Sequence, residues 1–268
     1  MTRERLFSPL LQQTGRAGSL LLSLVLVLLG TLATAAAAEF QVNSFSTDNQ
    51  ITPAVAVDAT GGFVVVWESN AEDDGGYYGV FGQRYDSSGA AQGEEFHVNT
   101  YTENRQGDPA VAADGAGNFV VVWTSEEQYG DGDGDGVFGR RFDKTGTPLG
   151  AEDFKVNTYI RDDQNSPAVA ADGAGNFVVV WTGHGVDDFG VGDFFGVFGQ
   201  RFDSSGSPQG DEFQVNTFTT GLENAPAVAA DKAGNFVVVW SSDYGQPGEY
   251  YFGVFGQRYD SAGNEQGG

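Results

Sequence analysis

The residues best placed to do chemistry are carboxylates set between glycines, Asp131-Gly-Asp133-Gly-Asp135-Gly136. Alternating carboxylates on a glycine backbone can fold around a hard cation, which takes roughly six to eight oxygen ligands. The spacing matches the start of an EF-hand loop, D-x-D-x-D-G, and then departs from it. Phe142 stands where the bidentate Glu belongs, and a strand pattern follows where a helix is needed. Asp131, Asp133 and Asp135 are therefore the expected metal ligands, with calcium as the ion, in a loop of another kind. The alternative is a solvated acidic loop. Corresponding loops hold Glu72-Asp73-Asp74, Asp187-Asp188 with Asp193, and Asp243 with Glu249.

Aromatic side chains share those loops: Tyr77, Tyr78, Tyr129, Phe189, Tyr244, Tyr250 and Tyr251. Rings among carboxylates and glycines suit hydroxyl-rich ligands, so these are the expected glycan contacts. The four tryptophans (Trp67, Trp123, Trp181 and Trp240) each end a wholly apolar run and are expected in the core. Arg84, Arg141, Arg201 and Arg258 recur at one place in the pattern, each two residues before an Asp. They are expected to pair with a carboxylate of their own or a neighbouring blade, for example the Asp58, Asp114, Asp172 and Asp231 set, with a ring of guanidinium groups reading acidic sugars as the alternative.

Catalysis finds little support. His97 and His184 are the only histidines, and neither has the spacing of a Ser-His-Asp triad. Gly134-x-Gly136-x-x-Gly139 precedes a strand and lacks the helix that a dinucleotide fingerprint requires. The turn Asp-x-x-Gly-Asn-Phe is only loosely similar to the sialidase Asp-box. Carboxylates abound, so a glycosidase-type acid pair stays open. Zero cysteines exclude disulfides and thiolate metal sites. Thirteen basic against 37 acidic residues exclude nucleic acid as a partner, because the charges repel.

The elements that must position these residues come from repetition. Phe-Val-Val-Val-Trp recurs at 63–67, 119–123, 177–181 and 236–240. Pro-Ala-Val-Ala recurs at 53–56, 109–112, 167–170 and 226–229, and Gly-Val-Phe-Gly at 79–82, 136–139, 196–199 and 253–256. Phe-x-Val-Asn recurs at 40–43, 96–99, 154–157 and 213–216. Each of these segments reads as a short strand: a small-residue strand entered at its proline, a doubly buried strand, and two more joined by glycine turns. Many glycines, 40 in 268 residues, accompany the turns. The expected fold is all-β, a β-propeller of four four-stranded blades. Its units cover about 39–93, 94–150, 151–210 and 211–268, and the ring is closed by Glu39–Asn43 on the last sheet. An open stack, a solenoid or two chains pairing into an eight-blade ring are the alternatives.

Residues 1–38 have the form of a signal peptide. Arg3, Arg5 and Arg16 precede the apolar run Leu20–Leu32, and an alanine tract ends at Ala38. The run is short for a membrane span of about 20 residues. Removal of this segment takes three Arg and one Glu, moving the formal charge from −24 to −26. The expected location is secreted or extracellular, with the periplasm or cell surface as further destinations.

The three motifs Phe-Val-Val-Val-Trp, Gly-Val-Phe-Gly-Gln-Arg-(Phe/Tyr)-Asp and Glu-Phe-Gln-Val-Asn-Thr resemble repeats of large bacterial secreted and surface proteins. Such repeats are often found beside haemolysin-type calcium-binding or cadherin-like modules. The resemblance covers nearly all of 39–268 and implies an extracellular, calcium-associated, adhesive or binding role, with no catalytic motif. The expected function is thus a non-enzymatic module, monomer or dimer, presenting four acidic-aromatic loops to a glycan or cell-surface or matrix partner. A structural repeat without a small ligand, or a glycoside hydrolase, is the alternative.

Overall fold

The computed structural model describes residues 39–70, 77–128, 134–159, 162–185, 194–218, 221–243 and 251–267. Residues 41–268 form one compact unit, and 1–40 form another of which only Glu39 and Phe40 are described. The signal-peptide segment 1–38 lies outside the described residues.

The described chain is all-β, in four antiparallel sheets. Blade 1 comprises β1 (Gln50–Val57), β2 (Phe63–Ser69), β3 (Gly79–Tyr85) and β4 (Phe96–His97), hydrogen-bonded in that order. Blade 2 repeats the order with β5 (Gln106–Ala113), β6 (Phe119–Glu126), β7 (Asp135–Phe142) and β8 (Phe154–Lys155). Blade 3 has β9 (Gln164–Ala171), β10 (Phe177–Gly185), β11 (Phe194–Phe202) and β12 (Phe213–Gln214). Blade 4 has three strands among the described residues: β13 (Glu223–Ala230), β14 (Phe236–Asp243) and β15 (Phe252–Tyr259).

The core lies between blades. Val64, Val66 and Val80 of blade 1 pack with Val111, Phe119, Val121 and Trp123 of blade 2, and the same cluster recurs at the next two steps. That is why Phe-Val-Val-Val-Trp is apolar throughout: in blades 2 and 3 the central strand faces a neighbouring sheet on both sides. Small Ala residues on the first strands let consecutive blades approach closely where the wedge narrows. Gly82, Gly139 and Gly199 have a further reason. A Cβ on them would stand 2.6–2.7 Å from the ring tip of Phe96, Phe154 or Phe213, so only glycine lets the fourth-strand ring lie there.

Three expectations are corrected. The first strands begin three residues before the proline, and a bulge precedes it in each blade. The residue before each proline takes positive φ: Thr52 (48°), Asp108 (51°), Ser166 (53°) and Ala225 (51°). Proline has no N–H for the ladder, and the bulge absorbs that gap.

The arginines do not seek the predicted carboxylates. Arg84 donates to Lys144 O (2.6 Å), Arg141 to Ser204 O (2.6 Å) and Arg201 to Ser261 O (2.8 Å), each on the next blade. The Asp set is occupied by its own turns: Asp114 Oδ1 accepts from the N–H groups of Ala116 (2.8 Å) and Asn118 (2.9 Å). A carboxylate already holding two amides of its turn has little left to offer a guanidinium.

The expected seal by Glu39–Asn43 on the fourth sheet is absent from the described structure. The segment is held instead on blade 1. Tyr85 donates its hydroxyl to Val42 O at 2.9 Å, and the Ser44 N–H donates to Glu95 Oε1.

Candidate functional site

Every blade brings together at one end the start of its first strand and the end of its second strand. The first residues of the first strands are Gln50, Gln106, Gln164 and Glu223. The glutamines do structural work, accepting the indole N–H of Trp67 (2.9 Å), Trp123 (3.0 Å) and Trp181 (3.0 Å). The tryptophans are thereby core, as expected, with their polar atoms satisfied.

The units stop being equivalent one residue beyond the Trp. Thr124, Thr182 and Ser241 stand there in blades 2 to 4, and Glu68 stands there in blade 1. Its carboxylate is fully buried. Oε1 accepts from Arg105 Nη2 at 2.8 Å and Nε at 3.0 Å. Oε2 accepts from the Thr52 hydroxyl (2.7 Å) and from the Asp108 N–H (3.1 Å). A buried carboxylate is tenable only with such a set of charge-assisted partners.

Three further residues make that arrangement possible. Arg105 occupies the place of Asn49, Asp163 and Leu222 in the other units. Gly107 replaces Ile51, Asn165 and Asn224, and a Cβ there would come within 2.8 Å of the Arg105 guanidinium. The guanidinium therefore lies across a gap in the side-chain layer. The bulge at Asp108 turns its N–H toward Glu68, and its side chain approaches Arg105 Nη2 at 3.6 Å. Burial works against the charge on Arg105. Hydrogen bonds and charge from Glu68, with Asp108 and Glu126, outweigh it and hold the guanidinium above its ordinary value.

Asp135 opens β7 beside this pair. It is the strand partner of Glu126, and its N–H donates to Asp163 Oδ1 at 3.2 Å. Gly134, at φ +130°, brings the chain so near Asp162 and Asp163 that a Cβ would stand 2.7 Å from Asp163 Oδ1. Burial first, then the charges of Asp163 and Glu126, raise the Asp135 carboxyl to about 6, with Arg105 acting in the opposite sense. A proton donor that titrates near pH 6 beside further acidic side chains is a combination general acid catalysis uses.

The sequence-predicted residues are divided by the structure. Asp135 joins this cluster. Tyr77 is exposed just before β3. Tyr78 joins blades 1 and 2, its carbonyl accepting the Gln106 N–H at 2.8 Å and its hydroxyl accepting from Asn49 Nδ2 at 3.4 Å. Tyr251 is exposed beside β15. Tyr129, Asp131, Asp133, Phe189, Tyr244 and Tyr250 lie outside the described residues. Among the described residues, no group of three or more His, Asp or Glu side chains is arranged to hold a metal. Glu68, Arg105, Asp108, Glu126 and Asp163 escape a search for motifs. The signal that finds them is departure from the repeat consensus at adjacent positions.

No family model matches the chain, and no curated protein matches it in sequence. Solved structures match the fold. A protein of unknown function from Dyadobacter fermentans is 12% identical, with 80% of this chain and 66% of that one covered at a TM-score of 0.54. The GH93 α-L-arabinofuranosidase of Fusarium graminearum, in complex with arabinobiose, is 11% identical, with 81% and 65% covered at 0.54. An α-L-arabinanase of Penicillium chrysogenum, also with arabinobiose, is 13% identical, with 83% and 67% covered at 0.50. The chain spans about two-thirds of the length of these proteins. The fold is accordingly β-propeller-like, of a kind shared with glycoside hydrolases. That finding overturns the expectation of a non-enzymatic adhesion module. The Glu68–Arg105–Asp135 end of blades 1 to 3 is asymmetric.

Proposed function

We propose that the protein is a glycoside hydrolase acting on a glycan of arabinose type. The observation that carries this is the meeting of Asp135 with its strand partner Glu126 and with Asp163, which accepts its N–H at 3.2 Å, where burial and then those charges raise the Asp135 carboxyl to about 6. Asp135 donates its proton to the glycosidic oxygen as the bond from that oxygen to the anomeric carbon breaks. An ionised neighbour, Glu126 or Asp163, stabilises the developing positive charge or activates water. The water adds its hydroxyl to the anomeric carbon, and its proton restores the carboxyl. Arg105, held by Glu68, sets a positive charge beside Asp135 and works against the rise of its carboxyl. The arabinose bound by the two neighbours supports the substrate class.

The test is release of reducing sugar from arabinan, and of phenol from an aryl α-L-arabinofuranoside, between pH 4 and 8. Activity lost in Asp135→Asn is the expected result. No turnover of either substrate by the native protein sinks the reading.

Two sequence-based proposals stand beside it. Calcium at Asp131, Asp133 and Asp135 rests on the Asp-Gly alternation and competes with the acid role of Asp135, because a carboxylate that ligates a cation carries no proton; a Tm that ignores both EDTA and excess calcium would remove it. Export rests on residues 1–38, and is checked by the N-terminal sequence of protein recovered outside the cell. The motif resemblance to bacterial surface repeats supports it.

A further inference from the structure

The three steps between blades are one interface made three times, and the groups for a fourth are uncovered. Val64, Val66 and Val80 of blade 1 are at most 4% exposed, as are their counterparts in blades 2 and 3. The same positions in blade 4, Val237, Val239 and Val254, are 36%, 39% and 81% exposed. The opposite face of blade 1 shows the converse defect. Val55 is 60% exposed where Val111 is 9%, and Phe63 and Val65 are only half-buried where Phe119 and Val121 are buried.

Two polar features repeat the asymmetry. Arg84, Arg141 and Arg201 each reach a turn carbonyl of the next blade, at Lys144, Ser204 and Ser261. By register, Arg258 faces the carbonyl position that Ser87 holds in blade 1. Gly82, Gly139 and Gly199 each underlie a fourth-strand phenylalanine, whereas a Cβ on Gly256 would meet only Val239 and Val238.

The N-terminal segment completes the match. The Ser44 N–H donates to Glu95 as Thr100 N–H does to Asp153 (2.8 Å) and Thr158 N–H to Glu212 (2.7 Å). Residues 42–44 thus take, on blade 1, the place that the outer strand of a preceding blade takes on blades 2 and 3. Phe40 precedes Val42 by two, as Phe96, which lies over Gly82, precedes Val98.

We propose that the open face of blade 4 binds the open face of blade 1 of a second copy, head to tail. The N-terminal segment of that second copy then lies beside β15, with its Phe40 over Gly256. A second copy fits better than closure within one chain. Closure would require three fully buried interfaces to change angle, whereas a second copy repeats them unaltered. An interface between two different faces is heterologous, so each copy has one donor and one acceptor end.

Light scattering on the purified protein across a concentration series tests this. The native protein is expected to run at two chains or more. Val254→Asp and Val55→Asp each spoil one face and are expected to run at the mass of one chain, with circular dichroism unchanged because both side chains are exposed in the single chain. Mixing the two variants leaves one good interface and is expected to restore a one-to-one dimer. A native protein of one-chain mass at tens of micromolar would overturn the proposal, and would indicate closure within the chain. Failure of the mixture to dimerise would also overturn it, because complementation is unique to a head-to-tail contact.

Discussion

Arg105 and Glu68 meet across the step from blade 1 to blade 2, Nη2 to Oε1 at 2.8 Å, with the carboxylate fully buried. The pair joins two repeat units through residues that neither repeat shares with the others. Its removal from one side has a definite consequence. Arg105→Ala leaves a buried, unpaired carboxylate, and breaking such a pair costs about 3–5 kcal/mol. The lower end applies, because Arg105 is partly open to water. Urea unfolding is expected to show this loss, and Glu68→Gln with Arg105→Ala to recover part of it.

Gly107→Asn installs the residue that blades 3 and 4 carry, and its Cβ collides with the Arg105 guanidinium. The expected loss of stability approaches that of Arg105→Ala. In the Arg105→Ala background the substitution is expected to be close to neutral, so a double-mutant cycle reads the coupling directly. Additive effects would mean that the glycine serves the backbone alone.

Asp135 gives a pH dependence of definite sign. Its carboxyl is raised from 3.8 to about 6, so the folded protein holds this proton more tightly than the unfolded chain. The stability it contributes is full below about pH 4 and is lost as pH rises through about 6. Asp135→Asn is therefore expected to raise the unfolding free energy at pH 7.5 by about 1 kcal/mol after allowance for solvent screening, seen as a higher Tm. The gain vanishes at pH 4. A gain that is the same at both values would show that burial and charge at this position are not the cause.

The turn aspartates act in the opposite direction. Asp86, Asp143 and Asp203 are held below the usual carboxylate value, first by the hydroxyls of Ser88, Thr145 and Ser205 and then by turn amides. Their contribution is present above about pH 4 and lost as pH falls below it. Removing the three hydroxyls together as alanines is expected to shift the acid midpoint of unfolding upward, measured by tryptophan fluorescence.

Gly139→Ala tests the ring seat. Its Cβ would stand 2.6 Å from the tip of Phe154, so the ring must leave its place over blade 2 and against Phe177 and Phe202 of blade 3. Overpacking of this kind costs about 1–3 kcal/mol. Gly256→Ala meets no such ring within its chain and is expected to leave the Tm of a dilute sample unchanged.

The repeats themselves determined the strands, their order within a blade and the burial of the tryptophans. Those are nearest-neighbour properties: an apolar period, a glycine turn and a strand length are legible wherever they recur. The bulge before each proline was not, because it depends on where the preceding residues find hydrogen bonds in the sheet. The partners of Arg84, Arg141 and Arg201 were not either, because the acceptors are backbone carbonyls about 60 residues away and carry no side-chain signature. The cluster of Glu68, Arg105 and Asp135 was hidden by the regularity that revealed the fold. Each of its members departs from the repeat at a different position, and only the side-by-side packing of blades 1 to 3 puts those departures at one end. Sequence decides what each blade is; which exceptional residues meet is decided by the angle at which blades stack.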